Sequence, residues 1–284
     1  MRLFALALLP LTIASAQCFG AEQAARAMPG ARRIGGLAAR DASAGKTQSR
    51  VFPRILAGSD WETTVVLLNP GSSPVTFQQF FFGGDGKLAQ FAVQNTASPD
   101  VLTTSGISGI LLPGSSMRLV LSGVGGEYRE GWSLLSSSDG QDAIDGYAIL
   151  RRKGLGGAFS FELTMPLSSM QDYSEYVPFD NTQGFRSHVT LVNPASNLST
   201  QVRLTYLNPQ GTVVLLDSVL IPPGQQMTLT LPDVYPDLAN KTGTVRIEGD
   251  TDCLAVMGMR SSEAYRAIAP LPMVSRGVAA TPQQ

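Results

Sequence analysis

Few residues in this sequence can do chemistry, and the first to consider is its single histidine. The chain of 284 residues carries one histidine, His188, so a Ser-His-Asp catalytic triad would have to be built on it. His188 lies inside an apolar run with the alternation of a strand, and we expect it to be an exposed strand residue. The sequence contains no G-x-S-x-G nucleophile elbow, and one histidine with two cysteines offers no paired set of zinc ligands. We expect no cofactor.

Three acidic residues follow one another at a constant interval in a loop. Asp139, Asp142 and Asp145 are interspersed with glycine, and loops of this kind supply oxygen ligands to calcium. Their spacing differs from that of an EF-hand, which alternates its ligands. The alternative is a polar turn whose carboxylates accept hydrogen bonds from nearby backbone amides. A glycoside hydrolase needs two carboxylates facing each other across a cleft, and a hydrolase that uses loop carboxylates stays a minor alternative.

Aromatic side chains are the remaining candidates for a binding site. Phe80, Phe82, Tyr128 and Trp132 all lie in the first half of the chain. Strand alternation places Phe80 and Phe82 outside the core. Aromatic rings stack on sugars and anchor protein interfaces, so these four residues form our candidate ligand site. The alternative is that Tyr128 and Trp132 belong to a hydrophobic core.

The elements that must position these residues form one unit that occurs twice. Residues 63–70 match 187–194, and both blocks contain an apolar strand followed by Asn-Pro. Residues 112–119 match 222–229, where a Pro-Gly turn precedes an apolar strand. The matching blocks follow the same order along the chain, which indicates an internal duplication. The first copy is longer, and the polar segment 95–107 is its expected insertion.

Each copy consists of short apolar runs separated by glycine, proline, asparagine and aspartate, which is typical of strands and turns. We therefore predict an all-β protein of two tandem antiparallel β-sandwich domains, residues 51–168 and 175–274, with about seven strands in each. A jelly roll is the alternative architecture. Residues 169–174 are the expected hinge between the two domains.

The N-terminal segment has the features of a secretory signal peptide. Residues 1–20 combine a basic start, a short apolar run and an Ala-Ser-Ala cleavage pattern. Residues 21–50 are predicted to be a flexible basic tether, and residues 275–284 a disordered tail. Gln17 stands where a lipoprotein signal needs a small residue, so we do not expect a lipid anchor on Cys18. The protein is therefore expected to be secreted, either periplasmic or extracellular.

Composition excludes two broad classes of function. Charged residues make up 15% of the chain and apolar residues 43%, which is not the composition of a disordered protein. The net charge of −1 provides no basic field for nucleic acid. We also expect no transmembrane segment, because the apolar runs are all shorter than a membrane-spanning helix requires.

The repeated motifs carry a resemblance at the level of the fold. The V-x-L-x-N-P and P-G-x-x-M-x-L patterns within residues 51–274 resemble those of secreted bacterial proteins with tandem immunoglobulin-like or fibronectin-III-like sandwiches. The paired core cysteines of antibody domains are absent. Such a resemblance implies adhesion, ligand binding or scaffolding.

We therefore expect a non-enzymatic interaction or scaffolding protein of the cell envelope or extracellular space, whose partner is a protein or a polysaccharide. The alternative is a carbohydrate-binding module that uses the exposed aromatics of the first repeat. The sequence leaves the oligomeric state open.

Overall fold

The computed structural model describes residues 50–137, 143–154, 159–169, 174–251 and 253–276. The expected signal peptide, nearly all of the tether, most of the hinge and most of the tail lie outside these ranges. Within the described ranges the regular secondary structure is almost entirely β-strand, and the strands pair antiparallel. The predicted all-β sandwich fold is confirmed. None of the helices in the described ranges has the length and apolar character needed to cross a membrane.

The first repeat forms two sheets, which we call A and B. Its strands are β1 (Arg50–Ala57), β2 (Trp61–Leu68), β3 (Val75–Gly83), β4 (Phe91–Asn95), β5 (Val101–Thr104), β6 (Gly106–Leu111), β7 (Ser116–Ser122), β8 (Arg129–Ser137), β9 (Asp145–Lys153), β10 (Phe159–Pro166) and β11 (Ser168–Ser169). Sheet A has the order β11-β1-β8-β3-β6, and sheet B the order β10-β9-β2-β7-β4-β5. A short 3-10 turn at Val124–Gly126 joins β7 to β8.

The second repeat forms sheets C and D. Its strands are β12 (Ser174–Asp180), β13 (Arg186–Val192), β14 (Thr200–Leu207), β15 (Val213–Ile221), β16 (Gln226–Thr230), β17 (Thr242–Gly249), β18 (Ala255–Ser262), β19 (Ala267–Leu271) and β20 (Val274–Arg276). Sheet C has the order β15-β14-β17-β12-β20, and sheet D the order β16-β13-β18-β19. One helical turn, α1 (Leu231–Val234), and a 3-10 turn at Pro236–Leu238 connect β16 to β17.

The two repeats share one topology. Sheet D follows the same strand order as β7-β2-β9-β10 of sheet B, and sheet C corresponds strand by strand to sheet A. The common unit is thus a 5-stranded and a 4-stranded sheet, which is larger than the expected sandwich of about seven strands. The additional strands of repeat 1 are β4 and β5, so its inserted piece includes residues ahead of the expected segment 95–107.

The ends of the described chain also differ slightly from the predicted boundaries. β1 begins at Arg50, so that residue belongs to a strand and not to the tether. β20 ends at Arg276 and pairs with β12, so the first two residues of the predicted tail are part of sheet C.

Each sandwich has a hydrophobic core between its two sheets. In repeat 1, Phe52 of sheet A and Val65 of sheet B belong to one buried cluster, where Phe81 and Phe91 meet edge to face with ring centroids 5.7 Å apart. In repeat 2 the core surrounds Tyr206, and burial raises the pKa of its phenol. Each fully buried apolar side chain stabilises such a core by roughly 1.5–3 kcal/mol.

The repeated Asn-Pro motif has a structural role in both sandwiches. Asn69 and Asn193 are buried directly after the equivalent strands β2 and β13. The side-chain Nδ2 of Asn69 donates to the backbone oxygen of Leu111 at 2.9 Å, and that of Asn193 donates to Ile221 at 3.0 Å. Each amide ties a turn to a strand of the opposite sheet. The motif that reveals the duplication is therefore a requirement of the fold, because a buried amide needs these partners.

Candidate functional site

The expected aromatic site is largely hidden. Trp132 is 1% exposed and Phe80 is 8% exposed. Phe82 is half-buried and stacks on the Trp132 indole, with ring centroids 4.4 Å apart. Tyr128 alone among the four candidates is open to solvent, with 49% of its surface exposed. The expected exposure of Trp132 and Phe80 is wrong, because neither can present a free ring face to a ligand.

The second repeat covers these rings. Strand alternation does direct Phe82 and Trp132 away from the core of repeat 1, onto the outer face of sheet A. That face packs against the outer face of sheet D, where Trp132 and Val51 share one buried cluster with Val192. The indole Nε1 of Trp132 donates to the backbone oxygen of Gly224 at 3.0 Å. We call this contact between sheets A and D the junction.

One glutamine of repeat 2 bonds to three parts of repeat 1. The backbone amide of Gln226 donates to the oxygen of Gly84 at 3.0 Å. Its side-chain Nε2 donates to the oxygens of Pro53 at 2.6 Å and Gly131 at 3.1 Å. Pro53 lies in a bulge of β1, where the ladder with β8 is interrupted and its carbonyl is available to the glutamine. These bonds fix the position of one sandwich relative to the other.

A buried arginine and its carboxylate partner form a polar cluster at the junction. Arg54 is 8% exposed, and its Nη2 lies 3.1 Å from Oε1 of Glu130. The same carboxylate accepts the hydroxyl of Thr228 from repeat 2 at 3.3 Å and that of Tyr128 at 3.1 Å. Desolvation, together with the charge of Glu130, raises the pKa of Tyr128 to about 12. Tyr128 is therefore a neutral hydrogen-bond donor to Glu130 in this cluster.

His188 is half-buried, and its ring contacts two side chains of repeat 2. Its Nδ1 lies 3.0 Å from Oγ1 of Thr230, and its Nε2 lies 2.7 Å from Oγ of Ser261. Burial, followed by the positive charges of Arg54 and Arg186, lowers the pKa of His188 to about 4. The expectation of an exposed residue is wrong. Both ring nitrogens contact hydroxyl groups, so the carboxylate of a Ser-His-Asp triad has no place beside this imidazole.

The expected calcium loop is described only at its last residue. Asp139 and Asp142 lie outside the described residues. Asp145 accepts a hydrogen bond from the amide of Gly146 at 2.8 Å and lies 3.5 Å from Nη1 of Arg50. The described residues contain no group of three metal-ligating side chains. The observed contacts of Asp145 are those of a polar turn that neutralises an arginine.

The most exposed aromatic side chain among the described residues, Tyr265, belongs to a group of residues that spans both repeats. We call this group the aromatic–arginine patch, and it consists of Trp61, Arg152, Glu263, Tyr265, Phe185 and Arg260. Equivalent elements position its two halves, because Trp61 begins β2 and Phe185 directly precedes β13. The arginines lie on the neighbouring strands β9 and β18.

Each half of the patch contains an arginine over an aromatic ring. The guanidinium of Arg152 lies 5.8 Å from the ring centroid of Trp61, and that of Arg260 lies 3.9 Å from the ring centroid of Phe185. Tyr265, on the turn after β18, is 61% exposed and stacks on Phe185 with centroids 5.4 Å apart. Contacts of this kind are attractive by about 0.5–1 kcal/mol at exposed sites. They hold the exposed tyrosine ring in a defined position.

The charges of the patch are paired. Nη1 of Arg152 donates to Oε1 of Glu263 at 2.9 Å, which connects repeat 1 to repeat 2. Arg260 donates to Asp180, which also accepts the hydroxyl of Thr182 at 2.6 Å. Partial burial opposes ionisation of Asp180, but the hydrogen bonds from Thr182 and the charge of Arg260 outweigh it and lower its pKa. The patch is therefore nearly neutral, with flat rings between compensated charges.

The sequence contains a repeated pattern at the positions of this patch, but the pattern alone does not identify the patch as a site. An aromatic residue precedes each copy of the Asn-Pro strand, and an arginine ends each copy of the neighbouring strand. Trp61 pairs directly with Arg152, whereas Arg260 pairs with Ser187, two residues after Phe185. No protein-family model, curated protein or solved structure matches the chain. Its function is therefore argued from geometry.

Proposed function

We propose that this chain is a secreted, non-enzymatic interaction or scaffolding protein whose two sandwiches act as one unit. The observation that carries the proposal is the ion pair of Arg152 with Glu263, at 2.9 Å. It joins an aromatic cluster of each repeat into one exposed surface that neither sandwich forms alone. Tyrosine, tryptophan and arginine are the residues that contribute most to binding energy in protein interfaces.

The rigidity of the patch supports a binding role. Tyr265 is exposed, yet its ring stacks on Phe185, and Phe185 is in turn held under the guanidinium of Arg260. A side chain that is already ordered loses little conformational entropy when a partner binds. The junction contributes in the same way, since it holds the two halves of the surface in register.

The features of residues 1–20 support export to the envelope or the extracellular space. We expect the mass of the protein recovered outside the cytoplasm to correspond to cleavage after Ala16 or Gly20. Recovery of the uncleaved chain in the cytoplasm would contradict this part of the proposal.

A carbohydrate ligand is the second candidate, and its proposed site moves from Trp132 and Phe80 to the patch. The observation that favours it is the exposed ring of Tyr265 in an electrically compensated surface, which suits the flat apolar face of a neutral sugar. The paired charges of Arg152 and Arg260 argue against a strongly anionic polymer.

One binding experiment tests both candidates on the full secreted chain. The protein is mixed with insoluble polysaccharides and peptidoglycan, and in parallel it is cross-linked in the native envelope. Replacing the anchor with Tyr265→Ala removes an exposed ring that supports no core, and we expect binding to fall by about 2 kcal/mol, or about thirtyfold. Tyr147→Ala is the matched control, because Tyr147 is a partly exposed tyrosine of sheet B outside the patch.

The outcomes separate the two candidates. Retention on a polysaccharide that depends on Tyr265 and not on Tyr147 favours the carbohydrate ligand. A specific envelope cross-link with the same dependence, without retention on polysaccharide, favours a protein partner. If Tyr265→Ala changes neither, the patch is not the binding surface and the proposal fails.

A further inference from the structure

The strand β15 is a long sheet edge with an apolar outer side. It ends sheet C and pairs only with β14. It spans nine residues, Val213–Ile221, which makes it the longest of the strands that end the four described sheets. Four of its apolar side chains are exposed by 47–66% of their surface: Val213, Val214, Leu216 and Leu220. Long apolar edges of this kind are templates for the addition of another strand.

The backbone of β15 shows which of its groups face the open edge. The amide of Ser218 donates to Oδ1 of its neighbour Asp217 at 2.7 Å, so it is not used in the ladder with β14. Backbone groups alternate in direction along an antiparallel strand. Within the regular part of the ladder, the amides and carbonyls of Leu216 and Leu220 therefore face the open edge together with those of Ser218.

We propose that β15 pairs with β15 of a second copy of this chain, antiparallel across a two-fold axis at Ser218, and that Asp217 weakens this pairing. The result is a symmetric dimer in which two copies of sheet C form one continuous sheet. A two-fold contact of this kind closes on itself and does not grow into a filament. The dimer goes beyond the proposed binding function and involves a different surface.

The sequence of β15 is self-complementary in this register. A two-fold axis at Ser218 places Leu216 opposite Leu220 of the second copy, and Asp217 opposite Val219 of the second copy. Directly opposed apolar side chains contribute roughly 0.2–1 kcal/mol per pair to a sheet. An axis at Asp217 would instead oppose two carboxylates, which is destabilising. Charge thus disfavours the register centred on Asp217, whereas the register centred on Ser218 opposes no like charges.

Asp217 restrains the edge through two contacts. Its Oδ1 accepts the Ser218 amide, which the dimer needs for the bond to Ser218 of the second copy. Its Oδ2 accepts the hydroxyl of Tyr235 at 2.6 Å, which keeps the carboxylate beside the edge. A charged residue that points inward from an edge strand is a known obstacle to strand addition. We therefore expect the unmodified chain to dimerise weakly and removal of the carboxylate to strengthen the dimer.

The equivalent edge of repeat 1 provides an internal contrast. Strand β6 is shorter, six residues, and contains Gly106 and Gly109. Glycine within a strand offers no side chain to pack and weakens its pairing. Ile110 of β6 is nevertheless 61% exposed, close to the 66% of Leu216. Exposure of a single apolar residue is thus similar on both edges, and the difference lies in the length of the strand and its glycine content.

The test measures self-association of the full chain by sedimentation equilibrium over a range of concentrations. We expect Asp217→Ala to lower the dimer dissociation constant at least tenfold relative to the unmodified chain. Leu216→Lys in the Asp217→Ala background should restore the monomer, whereas the matched change Ile110→Lys on β6 should not. Ser218→Pro is a second blocking variant, because its lost amide hydrogen is not part of the β14 ladder.

Thermal unfolding confirms that each variant is folded. A folded Asp217→Ala variant that stays monomeric at all concentrations overturns the proposal. So does a dimer that persists with Leu216→Lys or Ser218→Pro, because its interface would then lie elsewhere.

Discussion

Sheets A and C have the same strand order, but in the described part of the chain the outer face of sheet A is covered by repeat 2 and the outer face of sheet C is not. On sheet A, Val51, Trp132 and Leu134 are buried against repeat 2. Strand register identifies their counterparts on sheet C. Trp132 pairs with Phe82 and Thr244 pairs with Leu207, while Leu134 and Arg246 occupy the next outward positions of their strands. At these positions the duplicated fold therefore carries apolar residues in one copy and polar residues in the other.

The side chains of sheet C suit contact with water. Arg246 pairs with Glu248 at 3.3 Å, and both side chains are about one-third exposed, at 36% and 33%. Tyr176, the counterpart of Val51, is half-buried and presents a hydroxyl group. The backbone of the two sheets follows the same strand order, so the difference lies in their outward side chains. A few outward residues decide which face is covered, and so they set the number of sandwiches that stack.

The largest expected loss of stability comes from replacing Trp132 of sheet A with threonine, the residue at the equivalent position of sheet C. Trp132→Thr removes a buried indole from the junction and leaves the backbone oxygen of Gly224 without its donor. We expect the free energy of unfolding to fall by about 3–5 kcal/mol. Calorimetry should show the single transition splitting into two, because the repeats lose their shared interface. Trp61→Thr, at the only other tryptophan, is the control, and an equal loss there would contradict the comparison.

A smaller loss of unfolding free energy is expected from adding a methyl group where two turns of the junction approach each other closely. Gly86 has φ +79°, and a Cβ there would lie 2.8 Å from the backbone carbon of Gly224. Gly211 also has φ +79°, but a Cβ there would meet nothing within 4 Å. Both alanine variants bear the left-handed backbone cost of about 1–2 kcal/mol. Gly86→Ala should lose about 1–3 kcal/mol more through overpacking.

Denaturant unfolding of the two glycine variants measures this difference directly. Equal losses for Gly86→Ala and Gly211→Ala would mean that the turns are not in close contact. A larger loss for Gly86→Ala would assign the excess to the junction, since the backbone cost is the same in both.

The smallest expected effect is a dependence of stability on pH that comes from His188. Its pKa is lowered from 6.5 to about 4 in the folded protein, so the unfolded chain takes up a proton first as the pH falls. The stabilising contribution is complete above about pH 6.5 and is lost between there and about pH 4, by roughly 1–3 kcal/mol in total. Arg54 across the junction and Arg186 on its own strand disfavour the charged ring, while Asp233 of α1 favours it.

The variant His188→Gln isolates this contribution. Glutamine keeps hydrogen-bonding groups near Thr230 and Ser261 but does not titrate. The unfolding free energy of the variant should therefore change less between pH 7 and 4 than that of the unmodified chain. An identical pH profile would show that the imidazole is not desolvated in the folded protein. The counterpart of His188 on sheet B is Thr64, which does not titrate.

Much of the fold follows from local patterns in the sequence. Alternation of apolar residues directs Val65 and Phe81 into the first core and Val189 into the second. The repeated Asn-Pro motif marks the turn that Asn69 and Asn193 hold in the two sandwiches. These features are predictable because strand period and turn chemistry act over a few residues and do not depend on distant parts of the chain.

The candidate site was less accessible to sequence reasoning. Alternation directed Phe82 away from the first core, but it carries no information on what lies against an outward face. Alternation likewise gives no information on the side chains of neighbouring strands, and Thr230 and Ser261 contact the ring of His188 and leave it half-buried. The patch was missed because Arg152 and Glu263 lie in different repeats.

The sequence by itself determined the strand-rich class, the duplication and the direction in which each side chain leaves its strand. Only the tertiary structure decided that the outer face of sheet A meets that of sheet D, which buries Trp132 and brings Arg152 to Glu263. The physical reason is one of range. Side-chain direction is a local property of the backbone, whereas the free energy gained by covering an apolar face depends on which distant surface fits against it.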